Sequence, residues 1–429
     1  MFGVIADDIT GANDIGIMFS KSGYIADIYS YHADVLREIL AEQPDVLIFD
    51  TDSRLDHAET AYQKVYKATK DIQQAGAKQF YNKTCSVFRG NIGAEFDAML
   101  DALKEEFAIV VLGFPQNGRT TVDSTHYVYG VKLEDSQFNR DPIHPMTQSD
   151  LVSILQQQTS RKVGAITHDV IKLGAAAIKQ QIQQIKRNKR FHYVILDVTE
   201  QKDLAEIAKA IHQEKVICGS SALAEEIPKA VGKQVYPVNH LPLPKMIPNK
   251  GLFCVAGSLT PQTFKQIEYM KRNNHRVLTL DTLLFITRND KEAFIQQLQA
   301  QIIDKIQSGS HVILHSSNTA DQVEQTKQAG AKLGWSNTEI SRFVSETMAN
   351  ITAAVIRQTG QYRLVVAGGD TSATVCKVLG IGGMRVWKEI QPGLPSCLSH
   401  TSPPYLLVLK SGSFGDEAFI EKAFDHLSR

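Results

Sequence analysis

Three acidic side chains follow the first apolar run of the chain. Phe2 to Ala6 has the continuous apolar character of a buried strand, and Asp7 and Asp8 come directly after it. Asp14 supplies a third carboxylate within eight residues. Carboxylates at the end of a strand in an α/β sheet are placed for catalysis or metal binding, which predicts a catalytic role for Asp8. The alternative is that Asp8 or Thr10 only caps the helix that follows.

Cationic and hydroxyl side chains follow the next predicted strands. Arg54 comes soon after the apolar run Val46 to Phe49, and its planar guanidinium either pairs with Asp52 or binds a substrate carboxylate. The segment after a third strand, Gln79 to Asn82, is also rich in cations and hydrogen-bond donors. This combination favours an anionic, hydroxylated ligand, and a solvated loop is the alternative. The predicted substrate-binding residues are Asp8, Arg54, Lys83, Ser86, Arg89 and Arg119.

A glycine turn near the end of the chain has the features of an anion site. The apolar run Leu364 to Ala367 predicts a strand, Gly368 and Gly369 follow it, and a helix is predicted from about Ala373 to Leu379. Glycine lets a ligand approach the main chain closely, and the N–H groups at a helix start favour phosphate. The alternative is a tight strand-to-helix turn in which Thr371 or Ser372 caps the helix.

Two other strand ends in the same half of the chain have similar turns. They lie in the segments Cys254 to Thr260 and Leu407 to Gly415. Because ligands of open α/β sheets bind beyond the carboxyl ends of the strands, three such turns predict one shared phosphate site. The predicted cofactor-binding residues are Ser258, Gly368, Gly369, Asp370, Thr371, Ser411, Gly412 and Gly415. Asp370 is also a candidate catalytic residue.

Composition limits the classes of function. The formal net charge of +0 offers no footprint for nucleic acid or for a membrane surface, and no apolar run reaches the length of a membrane span. Acids at positions 7 and 8 come too early for a secretory signal. The five cysteines form no CxxC pair, so reduced thiols in a cytoplasm are expected. His126 and His144 lack metal-ligand spacing and are expected to be structural.

The alternation of strands and helices predicts an α/β fold in two domains, each a mostly parallel sheet flanked by helices, with a cleft between them. Closely spaced prolines mark a linker at 237–250, between an N-terminal domain at 1–236 and a C-terminal domain at 251–429. The first domain carries the acids and arginines, and the second carries the glycine turns. This division predicts a small acidic substrate in the first and a phosphate-bearing cofactor in the second.

Several known phosphate motifs are absent from the sequence: the P-loop, the dinucleotide-binding G-x-G-x-x-G after a strand, and the protein-kinase signature set. The chain does resemble the four-carbon acid sugar kinases over nearly its whole length. The six blocks that carry the resemblance, in the same order as in that family, are 5–14, 89–95, 118–122, 257–261, 368–371 and 410–415.

The resemblance implies an ATP-dependent kinase that phosphorylates the terminal hydroxyl of a tetronate-type acid. It implies a sugar-acid-binding N-terminal domain, an ATP- and Mg²⁺-binding C-terminal domain, and a homodimer. Asp8 or Asp370 would then accept the hydroxyl proton or hold the metal. Many members carry Asp-Ser-Thr where this chain has Cys85 to Phe88, which favours D-erythronate or D-threonate over a 3-oxo-tetronate. The other readings are a dehydrogenase or aldolase of the same acids, and a two-lobed sugar-acid-binding protein without turnover.

Overall fold

The computed structural model describes residues 1–39, 44–141, 143–232, 243–245, 247–317 and 319–429. The chain divides into two compact units, Met1–Asn239 and His240–Arg429. Much of the predicted linker, 237–242 and residue 246, lies outside the described residues, so the linker and the domain bounds stay predictions.

The first unit is built on eight parallel strands whose short apolar runs are buried on both faces, as strands covered by helices on both sides require. Their order across the sheet is β2-β3-β1-β4-β11-β5-β10-β9. The bounds of these strands are β1 Phe2–Ala6, β2 Ala26–Ser30, β3 Val46–Asp50, β4 Gln79–Lys83, β5 Ala108–Val111, β9 Val163–Ile166, β10 Tyr193–Leu196 and β11 Val216–Gly219. The prediction of a mostly parallel sheet is confirmed, although the sequence analysis missed β2.

Helices of this unit are amphipathic and bury their apolar stripes against the sheet. Their bounds are α1 Ile9–Lys21, α2 Ala58–Gln74, α3 Ile92–Leu103, α4 Leu151–Gln156, α5 His168–Ile171, α6 Ala175–Arg187, α7 Gln201–Ile211 and α8 Leu223–Val231. Single 3₁₀ turns occupy Val35–Arg37, Pro115–Asn117, Leu133–Asp135 and Gln137–Arg140.

A small antiparallel sheet forms in the segment that follows β5. Its strands are β6 Arg119–Val122, β7 Thr125–Val128 and β8 Val131–Lys132. His126 on β7 is fully buried. This sheet brings residues that follow β5 into the neighbourhood of Ser86.

The register of the parallel strands positions the polar residues that follow them. Ala6 at the end of β1 lies opposite Asp50 on one side and Lys83 on the other. The carboxyl ends of β1, β3 and β4 are therefore level, so the loops after them begin side by side.

The second unit has the sheet order β13-β14-β12-β15-β18-β17-β16. Five strands are parallel, and an antiparallel hairpin completes the sheet. The bounds are β12 Phe253–Ala256, β13 Arg276–Leu280, β14 Val312–Ser316, β15 Arg363–Ala367, β16 Gly383–Gln391, β17 Leu394–Ser399 and β18 Leu406–Lys410. The hairpin was not predicted, because β16 mixes polar with apolar residues and lacks a continuous apolar run.

Helices of the second unit are α9 Pro261–Arg272, α10 Thr282–Thr287, α11 Lys291–Gln307, α12 Ala320–Lys332, α13 Asn337–Thr359, α14 Gly369–Val378 and α15 Phe419–Leu427. Strands β12, β15 and β18 are direct neighbours, and Ala256, Ala367 and Lys410 lie level at their ends. The three glycine turns therefore leave the sheet at one edge, which is the arrangement that a shared site requires.

Candidate active site

A guanidinium joins two carboxylates at the carboxyl edge of the first sheet. Arg54 donates from Nε and Nη2 to the two oxygens of Asp7, over 2.8 and 2.7 Å, and from Nη1 to Asp8. Burial opposes ionisation of Asp8, but Arg54 and Lys83 hold its pKa below the ordinary value. Asp8 is thus a fixed carboxylate that is ionised at neutral pH.

Asp8 also has the structural role that the sequence offered as the alternative. It is the N-cap of α1, and its carboxylate accepts from the Gly11 N–H at 2.6 Å and from the Thr10 hydroxyl at 3.0 Å. Capping explains one oxygen contact, whereas the ion pair with Arg54 is beyond what a cap needs. Asp8 therefore both caps α1 and pairs with Arg54.

Lys83, the last residue of β4, is buried beside the same carboxylates. Its Nζ lies 3.6 Å from Asp14 Oδ2 and donates to the Thr84 carbonyl at 3.1 Å. A Cβ at Gly11 would lie 2.7 Å from Asp8 Oδ1 and 2.9 Å from Lys83 Nζ, so only glycine fits between the two charges. Burial raises the pKa of Asp14 to about 6, although Lys83 opposes the rise.

Two further acids lie behind this group, and the environment favours their neutral forms. Burial, together with Asp52, raises the pKa of Asp50 well above its ordinary value. Burial and the nearby Asp7 do the same for Glu95, which accepts a 2.8 Å hydrogen bond from Ser53 Oγ. We call Asp7, Asp8, Asp14, Arg54 and Lys83 the charged cluster. Asp7 and Asp14 were noted in the sequence as acids, but they were not assigned to the site.

Arg89 lies beside Cys85 rather than among the carboxylates of the charged cluster. Its Nη1 is 2.7 Å from Asp141 Oδ2, its Nε donates to Cys85 Sγ over 3.4 Å, and its guanidinium lies 5.3 Å from the Phe138 ring centre. Burial opposes ionisation of the Cys85 thiol, but Arg89 and Arg54 together lower its pKa. This thiol is thus in electropositive surroundings, which is where reactive cysteines are found.

Ser86 and Arg119 have contacts with structural partners. The Ser86 carbonyl accepts from His126 Nε2 at 2.9 Å, and Arg119 is fully buried, donates to the Asn117 carbonyl and lies over the Tyr129 ring at 5.1 Å. Their roles in substrate binding stay predictions.

His126 has the structural role that the sequence predicted. Because Nε2 donates to a carbonyl, Nδ1 is the acceptor for the Thr121 hydroxyl at 3.0 Å. Burial lowers the pKa of His126 to about 3, and burial also lowers the pKa of His144. Both rings are neutral at pH 7.

The glycine turns of the second unit contact one another. Gly257 N donates to the Ala367 carbonyl at 3.0 Å, and Gly368 N donates to the Lys410 carbonyl at 2.9 Å. A Cβ at Gly257 would lie 2.1 Å from Thr371 Oγ1, and one at Gly412 would lie 2.2 Å from Ser258 Oγ. We call the turns at 257–260, 368–371 and 411–413 the glycine cradle.

Hydroxyl groups hold the 411–413 turn of the cradle in place. Thr260 Oγ1 donates to the Gly412 carbonyl at 2.6 Å, and Thr263 Oγ1 donates to the same carbonyl at 3.0 Å. Ser258 Oγ lies 3.0 Å from Thr260 Oγ1. Lys410, a residue that sequence reasoning did not select, lies beneath this turn with its Nζ against the carbonyls of Ser411 and Gly412.

The start of α14 corrects two sequence-based expectations. The helix begins at Gly369 with Gly368 as N-cap, four residues before the predicted start, and neither Thr371 nor Ser372 is the cap. Gly368 has a φ of 125°, a backbone conformation that residues with a side chain rarely adopt. Glycine at this position therefore allows the helix to begin directly after it. The first N–H groups of α14 therefore belong to the 368–371 turn of the cradle, and N–H groups at helix starts can bind phosphate.

Asp370, inside the cradle, and Gly415, two residues after it, are the remaining predicted cofactor-binding residues. Asp370, in the first turn of α14, accepts from Ser341 Oγ at 3.1 Å. Gly415 has φ of 85° in a turn that Gln266 holds through the carbonyls of Phe414 and Asp416. Gly415 thus shapes the loop after the cradle, and its contact with a cofactor stays a prediction.

Glycine at 257 and 412 lets the three turns pack against one another, because an added Cβ would lie 2.1 Å from Thr371 Oγ1 or 2.2 Å from Ser258 Oγ. Closely packed turns that carry N–H and hydroxyl donors fit a polyphosphate. Among the described residues, no group of three His, Cys, Asp or Glu side chains is placed to hold a metal ion. A Mg²⁺ ion would therefore depend on phosphate oxygens with one or two carboxylates, which is its usual mode in nucleotide sites.

Comparison with known proteins decides the family. The model of a sugar-binding N-terminal domain matches residues 2–227, and that of a nucleotide-binding C-terminal domain matches residues 253–420. The 3-oxo-tetronate kinase of Haemophilus influenzae is 30% identical over 431 residues, covering 99% of both chains. This chain belongs to the four-carbon acid sugar kinase family. The kinase named 3-oxo-tetronate kinase in Burkholderia multivorans is 31% identical, covering 99% of this chain and 96% of its own.

Solved structures share the fold of this chain over nearly its whole length. A Salmonella typhimurium LT2 protein has a TM-score of 0.79 and 26% identity, with 98% of both chains covered. A Haemophilus influenzae protein has a TM-score of 0.71 and 27% identity, covering 99% of this chain and 100% of its own. The family predicted from six sequence blocks is confirmed, and the chain is a phosphotransferase with an alcohol group as acceptor. Throughout the described part of this kinase, no helix is both long and apolar enough to cross a membrane.

Proposed function

We propose that this kinase transfers the γ-phosphoryl group of ATP to the terminal hydroxyl of a four-carbon sugar acid. The observation that carries the proposal is the contact among three glycine turns at the ends of three neighbouring parallel strands. Such turns offer backbone N–H groups to a chain of phosphates. The charged cluster, in the unit matched by the sugar-binding family model, supports the acceptor half of the reaction.

Asp8 is our first candidate for the general base. Its carboxylate is held by Arg54, Gly11 and Thr10, and a base fixed in this way loses little freedom when it accepts a proton. Asp370 is the candidate to hold Mg²⁺ with the phosphates, and exchange of these two roles is the alternative. When bound, Mg²⁺ would neutralise charge that develops on the phosphate oxygens.

We propose that Arg54 aligns the carboxylates of Asp7 and Asp8, because three hydrogen bonds to them occupy most N–H groups of its guanidinium. Arg89, which has a single carboxylate partner in Asp141, is the stronger candidate for the substrate carboxylate. Lys83, Ser86 and Arg119 complete the proposed acid site.

For the acid itself, the relatives named above favour a 3-oxo-tetronate, because each carries that activity in its name. D-erythronate and D-threonate, which the sequence at Cys85 to Phe88 favoured, form the second candidate. The two classes share a carboxylate and a terminal hydroxyl and differ at C3. A C3 ketone only accepts hydrogen bonds, whereas a C3 hydroxyl also donates them. A site that binds one class of acid well is therefore expected to bind the other less tightly.

An ADP-release assay with a panel of three- to six-carbon sugar acids tests the proposal. We expect ADP release to depend on a four-carbon acid, and phosphorus NMR to show a phosphate ester at the terminal carbon. Preference for the 3-oxo acid over D-erythronate and D-threonate decides between the two candidates. Turnover with ATP that no four-carbon acid stimulates would overturn the proposed substrate class.

Two expectations from the sequence complete the proposal. A homodimer is implied by the family resemblance and is tested by light scattering on the purified chain. A cytoplasmic location is consistent with five buried cysteines that are all free of disulfides, and cell fractionation tests it.

A further inference from the structure

Lys410 is a fully buried lysine whose hydrogen-bond donors are satisfied without a carboxylate. It is the last residue of β18, and its Nζ donates to Thr263 Oγ1 at 3.1 Å and to the carbonyls of Ser411 and Gly412 at 2.8 and 2.9 Å. An ammonium group has three N–H donors, so all three have acceptors. Among the residues that the structure describes, Lys410 forms no ion pair.

Such a charge is costly unless an anion compensates it. Burial lowers the pKa of Lys410 to about 7. Cys254 is the titratable group that acts on it, and burial raises the pKa of that thiol to about 12, so the thiol is neutral at pH 7. From α9, the group that contacts Nζ is the uncharged hydroxyl of Thr263. Within the described ranges, Lys410 therefore has no counter-charge.

The contacts of Lys410 also set the direction of the cradle amides. In a planar trans peptide the C=O and the following N–H point in opposite directions. Because the carbonyls of Ser411 and Gly412 point toward Lys410, the N–H groups of Gly412 and Ser413 point away from it. Lys410 is thus placed to hold both peptide groups with their donors outward.

We propose that Lys410 is a positioning residue for the phosphates of the nucleotide, which it serves by fixing the amides of the 411–413 turn and by supplying a buried positive charge behind them. The inference depends on the proposed function in one respect, namely that the ligand of the glycine cradle is a polyphosphate. It adds a residue that touches no substrate and acts through the main chain.

Calorimetry with inorganic tripolyphosphate, with ATP and with adenosine tests this role in the full chain. In Lys410→Met we expect affinity for tripolyphosphate and ATP to fall by about 10- to 100-fold, with adenosine affinity retained. Lys250→Met is the matched control, because Lys250 also donates to a main-chain carbonyl in this unit, that of Thr359, and should leave all three affinities unchanged. Tripolyphosphate affinity unchanged in Lys410→Met, or equal loss of all three ligands, would overturn the inference.

Proton uptake by the wild-type chain gives a test that needs no variant. Since Lys410 is largely neutral at pH 8, ATP binding should take up close to one proton there, measured in buffers of different ionisation enthalpy. Binding without proton uptake would contradict a buried charge completed by phosphate. Gly412→Ala separates this inference from the proposed function. If it abolishes tripolyphosphate binding and Lys410→Met does not, only the inference fails, whereas if neither changes binding, the phosphate site lies elsewhere.

Discussion

Two buried lysines occupy corresponding places in the two units. Lys83 ends β4 and Lys410 ends β18, and each Nζ donates to the carbonyl of the next residue, at 3.1 and 2.8 Å. Lys83 has Asp14 at 3.6 Å and lies beside Asp8, whereas the described partners of Lys410 are oxygens of neutral groups. The same strand-end position is therefore used with and without an internal counter-charge.

The difference between the two lysines reflects the source of negative charge in each site. The charged cluster contains its own anions, so its cations mainly orient carboxylates and, at Asp8, favour the ionised form. The glycine cradle contains oriented dipoles and a buried cation, so the anion must come from the ligand. A carboxylate base suits the first arrangement, and a polyphosphate suits the second.

The largest expected effect is at Asp8. Asp8→Asn keeps a helix cap but removes the carboxylate, so we expect kcat to fall by about 10²- to 10⁴-fold if Asp8 is the base. Asp150→Asn is the matched control, because Asp150 caps α4 with a 2.6 Å hydrogen bond to Ser153 N in the same unit. Steady-state kinetics and a thermal melt measure both variants. If Asp8→Asn keeps activity near wild type, Asp8 is only the helix cap, and the first unit does not supply a carboxylate base.

Next in size is the effect of filling the glycine cradle. In Gly412→Ala the new Cβ would lie 2.2 Å from Ser258 Oγ, and we expect ATP affinity to fall by about 10- to 100-fold because the turn must move. Gly334→Ala adds a Cβ with no atom within 4 Å, at a φ of 79° that strains any side chain, and should lower stability without changing ATP affinity. Calorimetry distinguishes them. Equal ATP affinity in the two variants would move the nucleotide away from the cradle.

A smaller effect is expected at Arg89. Removal of its charge in Arg89→Ala should raise the KM for the sugar acid by about tenfold, with the KM for ATP unchanged. Arg161→Ala is the control, because Arg161 pairs with Asp97 and Asp101 in the same unit but belongs to neither proposed site. A rise in the KM for the sugar acid alone would support separate acid and ATP sites in the two units. A rise confined to the KM for ATP would remove Arg89 from the acid site.

The smallest effects are in the pH dependence of stability, and they have opposite signs in the two units. The folded-state pKa of Asp14 is about 6 against 3.8, so its protonated form favours folding below pH 3.8 and this stability is lost as pH rises through 6. The folded-state pKa of Lys410 is about 7 against 10.5, so stability present above pH 10.5 is lost as pH falls through 7. Each of these two contributions to stability should change Tm by a few degrees.

Denaturant titrations across this pH range measure both effects. Asp14→Asn should reduce the acid-side slope, to which Asp50 and Glu95 also contribute, and Lys410→Met should reduce the alkaline slope. A wild-type chain with a flat profile between pH 7 and 10 would show that Lys410 is not an uncompensated buried charge.

Much of the fold could be predicted because buried parallel strands are short apolar runs, and the predicted bounds of β1, β3, β4 and β15 agree with the structure within one residue. The strands that were missed lack this signal: β16 mixes polar with apolar residues, and β2 was not separated from its surroundings. The early start of α14 was missed for a local reason, since the φ of Gly368 cannot be read from the identity of the residue alone.

The sequence by itself determined which chemical groups follow each strand: carboxylates after β1, cations after β3 and β4, and glycines after β12, β15 and β18. Those are local facts, because a strand end and its loop are adjacent in the chain. Only the tertiary structure decided the partners. Arg54 meets Asp7 across 47 residues and Lys410 meets Thr263 across 147, and burial then sets which groups carry charge. Partner choice and burial depend on how distant segments pack, and for that reason neither is written in any single stretch of the chain.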